Sequence, residues 1–225
     1  MKYVKSIALI CLSLTLVYTA MAFAKEKVKL PEVTVEGLVR VPDSNLAIVY
    51  ADPEADLAQY ERVKLLETHV AFKKNWQRNY NRSATSAIGI TSSDMERMKN
   101  DMAREFNQVF TEVLEKGGYP VVDEAAEDVL LVRAAIVDLN PTAPDTRSAG
   151  ISRTYTQSAG DMSLYIELYD SQTGDIMAKA LDRQVDGRHS GFYTWANPAS
   201  NSVAAKRILR GWATILLDAL NEAKK

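Results

Sequence analysis

The alternation of apolar and polar positions is clearest between Asp161 and Arg183. Met162, Leu164, Ile166 and Leu168 alternate with Ser163, Tyr165, Glu167 and Tyr169, the period-two pattern of a strand with one buried face. Asp170-Ser171-Gln172-Thr173-Gly174 is a turn cluster whose glycine can take positive φ. A second strand, 175–183, places Ile176, Ala178 and Ala180 on one side and Met177, Lys179 and Leu181 on the other. The stretch predicts a β-hairpin.

Other elements follow from the same reading. Residues 45–52 predict a short strand. Residues 62–72 predict a longer one with apolar residues on both faces, as in a central strand. Residues 73–92 predict a long loop. Ser93 with Glu96 predicts a capping box. Met95, Met98, Met102, Phe106, Val109, Phe110 and Val113 then recur at helical spacing, up to Lys116-Gly117-Gly118. Residues 129–139 predict a strong strand interrupted by Arg133, and Asn140-Pro141 ends it. Irregular stretches are expected at 141–160 and 185–199. A last helix, 200–223, shows an apolar stripe through Ala205, Ile208, Leu209, Trp212, Ile215, Leu216, Ala219 and Leu220.

Strand, helix, strand, hairpin, helix is the order of an α+β (α/β two-layer) domain. The expected architecture is a mixed sheet of about four to five strands with two long helices on one face.

The amino terminus adds an address. Lys2 and Lys5 precede an apolar run, 7–18, and Ala22-Phe23-Ala24 offers a small-x-small cleavage site. This is the plan of a signal peptide, cleaved after Ala24, and the run is short for a membrane span. The expected divisions are signal peptide 1–24, leader 25–44 and domain 45–225, with export to the periplasm. Cys11, the single cysteine, lies inside the apolar run and not just after it, so no lipid anchor is expected from it. Removing Lys2 and Lys5 takes the 27 basic residues to 25 against 29 acidic, a net charge of −4. A general nucleic-acid binder needs a basic excess, so nucleic acid is not an expected partner.

Several phrases together resemble a known family. These are Ala47-Ile48-Val49-Tyr50 followed by Asp52-Pro53 and Ala55-Asp56-Leu57, then Tyr119-Pro120-Val121-Val122-Asp123, and then Asp138-Leu139-Asn140-Pro141. Leu168 through Asp175 and Trp212 complete the set. In this order they resemble the bacterial envelope-protein family catalogued as domain of unknown function 3313. The resemblance implies an envelope location and a small α/β domain, and it brings no catalytic residues. Many members of that family are predicted lipoproteins, and this chain departs from them at the cysteine.

Candidate chemistry is sparse. His69 and His189 stand far apart with no close ligand spacing, so no metal site is expected. No nucleophile elbow is present. Asp123-Glu124 and Glu127-Asp128 read as an acidic turn before a strand. Gly117-Gly118 follows a helix, whereas a phosphate cradle precedes one, and no cofactor is expected.

Lys73, Lys74, Trp76, Arg78, Tyr80 and Arg82 interleave cations and aromatics without an acid. They form the first candidate binding surface, for stacking on sugars or holding an anionic polymer. The structural alternative is a charged loop with Trp76 tucked against the domain. His189, Tyr193 and Trp195, in the irregular stretch before the last helix, are the second candidate surface.

The expected function is a non-enzymatic periplasmic or secreted protein that binds an envelope protein or glycan through long loops. The alternatives are a hydrolase of an envelope polymer with His189 as base, and a structural protein that self-associates through a sheet edge. The oligomeric state is left open. The address is testable: protein recovered from the periplasm should have an intact mass that begins at Lys25. A mass retaining Met1 through Ala24 would overturn the cleavage assignment.

Overall fold

A computed structural model describes residues 29–83, 89–142, 154–156, 160–185, 194–196 and 198–225, with side chains of Ser83, 154–156, 194–196 and 198–201 left aside. The chain divides into two units, Met1–Leu30 and Pro31–Lys225, and the second is described here.

Its elements in order are β1 (Val39–Arg40), β2 (Ile48–Ala51), β3 (Arg62–Leu65), β4 (His69–Phe72), α1 (Trp76–Ser83), α2 (Ser92–Lys116) and β5 (Val129–Pro141). There follow β6 (Thr154–Thr156), β7 (Gly160–Asp170), β8 (Ile176–Val185), β9 (Thr194–Ala196) and α3 (Pro198–Ala223).

Seven strands form one mixed sheet in the order β1-β2-β8-β7-β5-β3, with β4 also paired to β5. The sheet is larger than expected because residues 39–40 add an edge strand and the single strand predicted at 62–72 is two. β3 and β4 both run parallel to β5, in registers Val63↔Leu130 and Val70↔Ile136. Thr68, between them, is buried, and its hydroxyl oxygen lies 3.2 Å from Asn107 Oδ1 on α2. β6 and β9 form a separate two-stranded sheet.

The hairpin is present as β7 and β8, and Gly174 takes φ +75° in its turn. Met162, Leu164, Ile166 and Leu168 are all buried in one cluster with Val132, Ala134 and Ile136 of β5. Phe106, Val109, Phe110 and Leu114 of α2 and Leu209, Trp212, Leu216 and Leu220 of α3 complete that cluster. Both long helices therefore cover the face built from even-numbered residues of β5 and β7. Met177 joins this core, contrary to the alternation of its strand, because the register shifts between Leu168 and Tyr169.

The start of α2 differs from expectation. Thr91, not Ser93, is the cap: its Oγ1 accepts from the Asp94 amide at 3.1 Å, and Asp94 Oδ2 accepts from the Thr91 amide at 3.0 Å. Two overlapping capping phrases compete in this stretch, and the one that also lets Ile90 bury its side chain prevails. At the other end Gly118 takes φ +91°. Gly117 leaves room for Leu217 of α3, since a Cβ there would collide with Leu217 Cδ1. The helices are further joined by Lys206–Glu105 at 3.1 Å and Arg210–Glu112 at 3.6 Å.

A polar tie links sheet to helix inside the core. Asp182 of β8 is buried, and its carboxylate accepts from Trp212 Nε1 at 2.7 Å, Gln184 Nε2 at 2.7 Å and the Ala47 amide at 3.1 Å. A buried carboxylate is tolerated only when its acceptor positions are filled in this way.

Phe106 and Phe110 stack at 3.9 Å between ring centroids, and both are essentially inaccessible. Phe106→Ala should cost about 3–5 kcal/mol, because transfer and cavity penalties add. Urea unfolding checks this, and a loss under about 1 kcal/mol would mean that the helix repacks onto the sheet.

Candidate functional site

The first candidate surface is a helix rather than a loop. In α1, Trp76 and Tyr80 are one turn apart and stack in series on Phe72, with centroid distances of 4.6 Å for Phe72–Trp76 and 5.6 Å for Trp76–Tyr80. Trp76 is 6% exposed, and its Nε1 donates to the Pro141 carbonyl at 3.3 Å. Gln77 and Asn81 both donate to the Ile90 carbonyl, at 2.9 and 3.0 Å.

The polar composition of 73–92 hid this helix. Tertiary anchors hold it, and sequence propensity contributes little. Trp76 is thus a packing residue, as the structural alternative had it. Tyr80 is half-buried, and burial raises its phenol pKa. Lys73, Lys74, Arg78 and Arg82 are exposed around this aromatic stack. His189 and Tyr193 lie outside the described residues. Trp195 is described only by its backbone, paired with Tyr155.

A cleft of about 380 Å³ lies between β4 and α2, lined by Glu67, Thr68, His69, Glu96, Lys99 and Asn100 among others. His69 is exposed there. Among the described residues no group of three metal-type side chains is gathered.

The densest polar constellation lies on the sheet face opposite α2 and α3. Strand alternation sends Tyr165, Glu167 and Tyr169 of β7 to that face, and register places Arg133 of β5 beside Glu167. Glu167 is 5% exposed. It accepts from Tyr165 Oη at 2.5 Å, Tyr169 Oη at 2.9 Å and Arg133 Nε at 2.5 Å. The Arg133 guanidinium also sits 5.7 Å from the Tyr169 ring centroid. On the other flank, Lys179 of β8 lies opposite Glu167 in register but pairs with Glu36 at 2.8 Å. That contact holds the Glu36 carboxyl down to about 2.

Burial pushes the Glu167 carboxyl up. The hydrogen bonds from Tyr165, Tyr169 and Arg133 outweigh burial and hold it below the usual carboxylate range. Burial, and then the bond to Glu167, raises both phenols, while the same carboxylate raises Arg133. All of the strong donors around Glu167 are therefore committed to its ionised form.

Further along this face Arg183 pairs with Asp161 at 2.6 Å, and Asn140 donates to the same carboxylate at 2.7 Å. In both pairs the acid is sunk and the cation stands out: the Arg133 and Arg183 side chains are 56% and 57% exposed, over the largely covered side chains of Glu167 and Asp161. The sequence did signal this face, since Tyr165, Glu167 and Tyr169 form the polar half of the hairpin alternation and Arg133 breaks an apolar strand. That the four converge depends on the β5–β7 register.

The fold and this face define a class: a two-layer α+β domain with a hydrogen-bonded Arg-Glu-Tyr-Tyr cluster on its outer sheet face. The chain belongs to the family described as protein of unknown function, DUF3313, whose pattern matches residues 35–216.

No curated protein matches the chain. Among solved structures it is similar to PelC, seen as a dodecamer, from Paraburkholderia phytofirmans (13% identity, 75% of this chain and 96% of that one, TM-score 0.39). It is also similar to a minor lipoprotein from Acinetobacter baumannii (7%, 71% and 91%, TM-score 0.33) and to a DUF4136 family protein from Bacteroides thetaiotaomicron (11%, 75% and 94%, TM-score 0.35). At these overlaps no activity or partner transfers to this chain.

The depressed Glu167 value fixes the sign of a pH effect. Its ionised form favours folding, so its contribution is full above the ordinary value of about 4.3 and is lost as pH falls through the lower folded value. The stability advantage of wild type over Glu167→Gln, read by urea unfolding, should therefore be largest near neutral pH. It should shrink below about pH 4. An advantage that stays constant into strong acid would show that charge at Glu167 plays no part.

Proposed function

We propose that this is an exported, non-enzymatic protein of the bacterial envelope that binds a protein or glycan partner through the outer sheet face around Arg133, Tyr165, Glu167 and Tyr169. The observation that supports this reading is the division of roles within the cluster. Glu167 is saturated by three donor groups and buried, which suits an anchor and not a general base, because a base must reach a substrate proton. Arg133, which it anchors, is more than half exposed, a fixed cation offered to solvent. Export is supported by the leader pattern of residues 1–24.

The test is capture of a partner from detergent-solubilised envelopes by the mature protein and two variants. Arg133→Glu should lose a partner that wild type retains, while Arg78→Ala combined with Arg82→Ala should keep it. The opposite result, with both variants folded by circular dichroism, would move the working surface to α1 and overturn this reading.

A further inference from the structure

Helix α1 presents a line of charge that the outer sheet face does not use. At about 100° per residue, a side chain two places further along a helix points to the opposite side. Arg78 follows Trp76 by two places and Arg82 follows Tyr80 by two. Trp76 is buried and Tyr80 is half-buried against it, so both arginines face away from the domain, and both are exposed. Four residues apart, they share one stripe and stand about 6 Å apart along the axis. Lys74 is exposed in the turn that leads into the helix. The three cations form a ridge on a rigid support. Trp76, Gln77 and Asn81 donate to main-chain carbonyls outside the helix, and Asn81 Oδ1 accepts from the Ile90 amide at 2.7 Å. Asn75 takes φ +61°, and its carbonyl accepts from the Asn79 amide at 2.9 Å to close the first turn.

The ridge is uncompensated. No Asp or Glu occurs from residue 68 to residue 93. Acids on α2 and on the sheet are already engaged. Asp94 pairs with Arg97, and Glu96 pairs with Lys99. On the sheet, Asp161 is met by Arg183 and Asn140, and Lys73 helps to hold it ionised. Asp138 of β5 bears on the same Arg183. Lys73 is thus partly spent, whereas Lys74, Arg78 and Arg82 make no ion pair among the described residues. The chain as a whole carries more acidic than basic residues. An anionic plane turns such a molecule until its one cationic ridge comes first.

We propose that α1 is a docking site for a membrane surface rich in anionic phospholipid, with Lys74, Arg78 and Arg82 lying on the headgroup phosphates. Charge complementarity selects an anionic occupant. Shape selects a plane over a chain, because the outer side of a helix is convex and meets a flat surface along its length. A polyanion chain is held best by a groove that tracks its backbone. Trp76 is buried and does not serve as an interfacial anchor, so the contact is electrostatic and reversible.

Cosedimentation of the mature protein with vesicles tests this. One set is phosphatidylcholine with about one-third phosphatidylglycerol, and the other is phosphatidylcholine alone. In about 50 mM salt the protein should sediment with the anionic vesicles and not with the neutral ones, and about 500 mM salt should release it. A cation at such a surface contributes about fivefold in affinity, so Arg78→Ala combined with Arg82→Ala should weaken binding about 25-fold. Arg78→Lys combined with Arg82→Lys should bind like wild type, since a charged surface does not require guanidinium geometry. Arg133→Gln, on the outer sheet face, should also bind like wild type. Sedimentation with neutral vesicles, or with neither set, overturns the assignment. So does full binding by the double alanine variant, shown to be folded by circular dichroism. Loss of binding in the double lysine variant would indicate a bidentate anion site and overturn docking on a surface. Release by soluble polyphosphate at matched phosphate concentration would make the occupant a polyanion chain, and the membrane assignment would fall.

Discussion

The central constraint in this protein is the two-residue alternation of β7, set in the interior of the sheet between β5 and β8. A strand paired on both sides cannot rotate, so each side chain is assigned to a face. Leu164, Ile166 and Leu168 go to the helices, and Tyr165, Glu167 and Tyr169 go to the outer face. A slip of one residue would bury a carboxylate among Phe106, Phe110 and Trp212 and expose the leucines. The hydrophobic core and the polar cluster are therefore two consequences of one register.

The sheet is kept in that register from several directions. The parallel strands β3 and β4 fix β5 on one side, and β2 closes β8 on the other. Within the hairpin β7 is paired on both sides, while β8 meets β2 only over Ala178–Leu181. On the helix side, Trp212 donating to Asp182 specifies where α3 lies, since any sliding of the helix would leave a buried carboxylate and an indole N–H short of partners. Gly117 against Leu217 sets the approach of α2 to α3. These contacts add specificity to a core whose bulk stability comes from apolar burial.

Burial of acids beneath cations gives the outer face its character. Glu167 and Asp161 are held ionised by hydroxyl, amide and guanidinium donors, and they in turn orient Arg133 and Arg183. An arginine fixed in this way has lost much of its rotamer freedom. Of the aromatic residues that looked most like a binding surface in the sequence, Trp76 is buried and stacked on Phe72, and Tyr80 stacks on Trp76.

The sequence by itself determined the elements with strong periodicity: the hairpin, the strand at 129–139 and the two long helices, together with the two-layer α+β class. Side-chain periodicity is local, and these segments are long enough for it to be unambiguous. It also displayed the components of the outer cluster, as the polar half of an alternation and an arginine interrupting an apolar strand. Tertiary structure alone decided the rest. The short helix at 76–83 exists because Phe72, Pro141 and Ile90 hold it. The cap moved to Thr91 because Ile90 is buried. Arg133 reaches Glu167 because two strands 34 residues apart in sequence pair in one register. Such contacts are long-range, and no local pattern of residues encodes which distant side chain will be the neighbour.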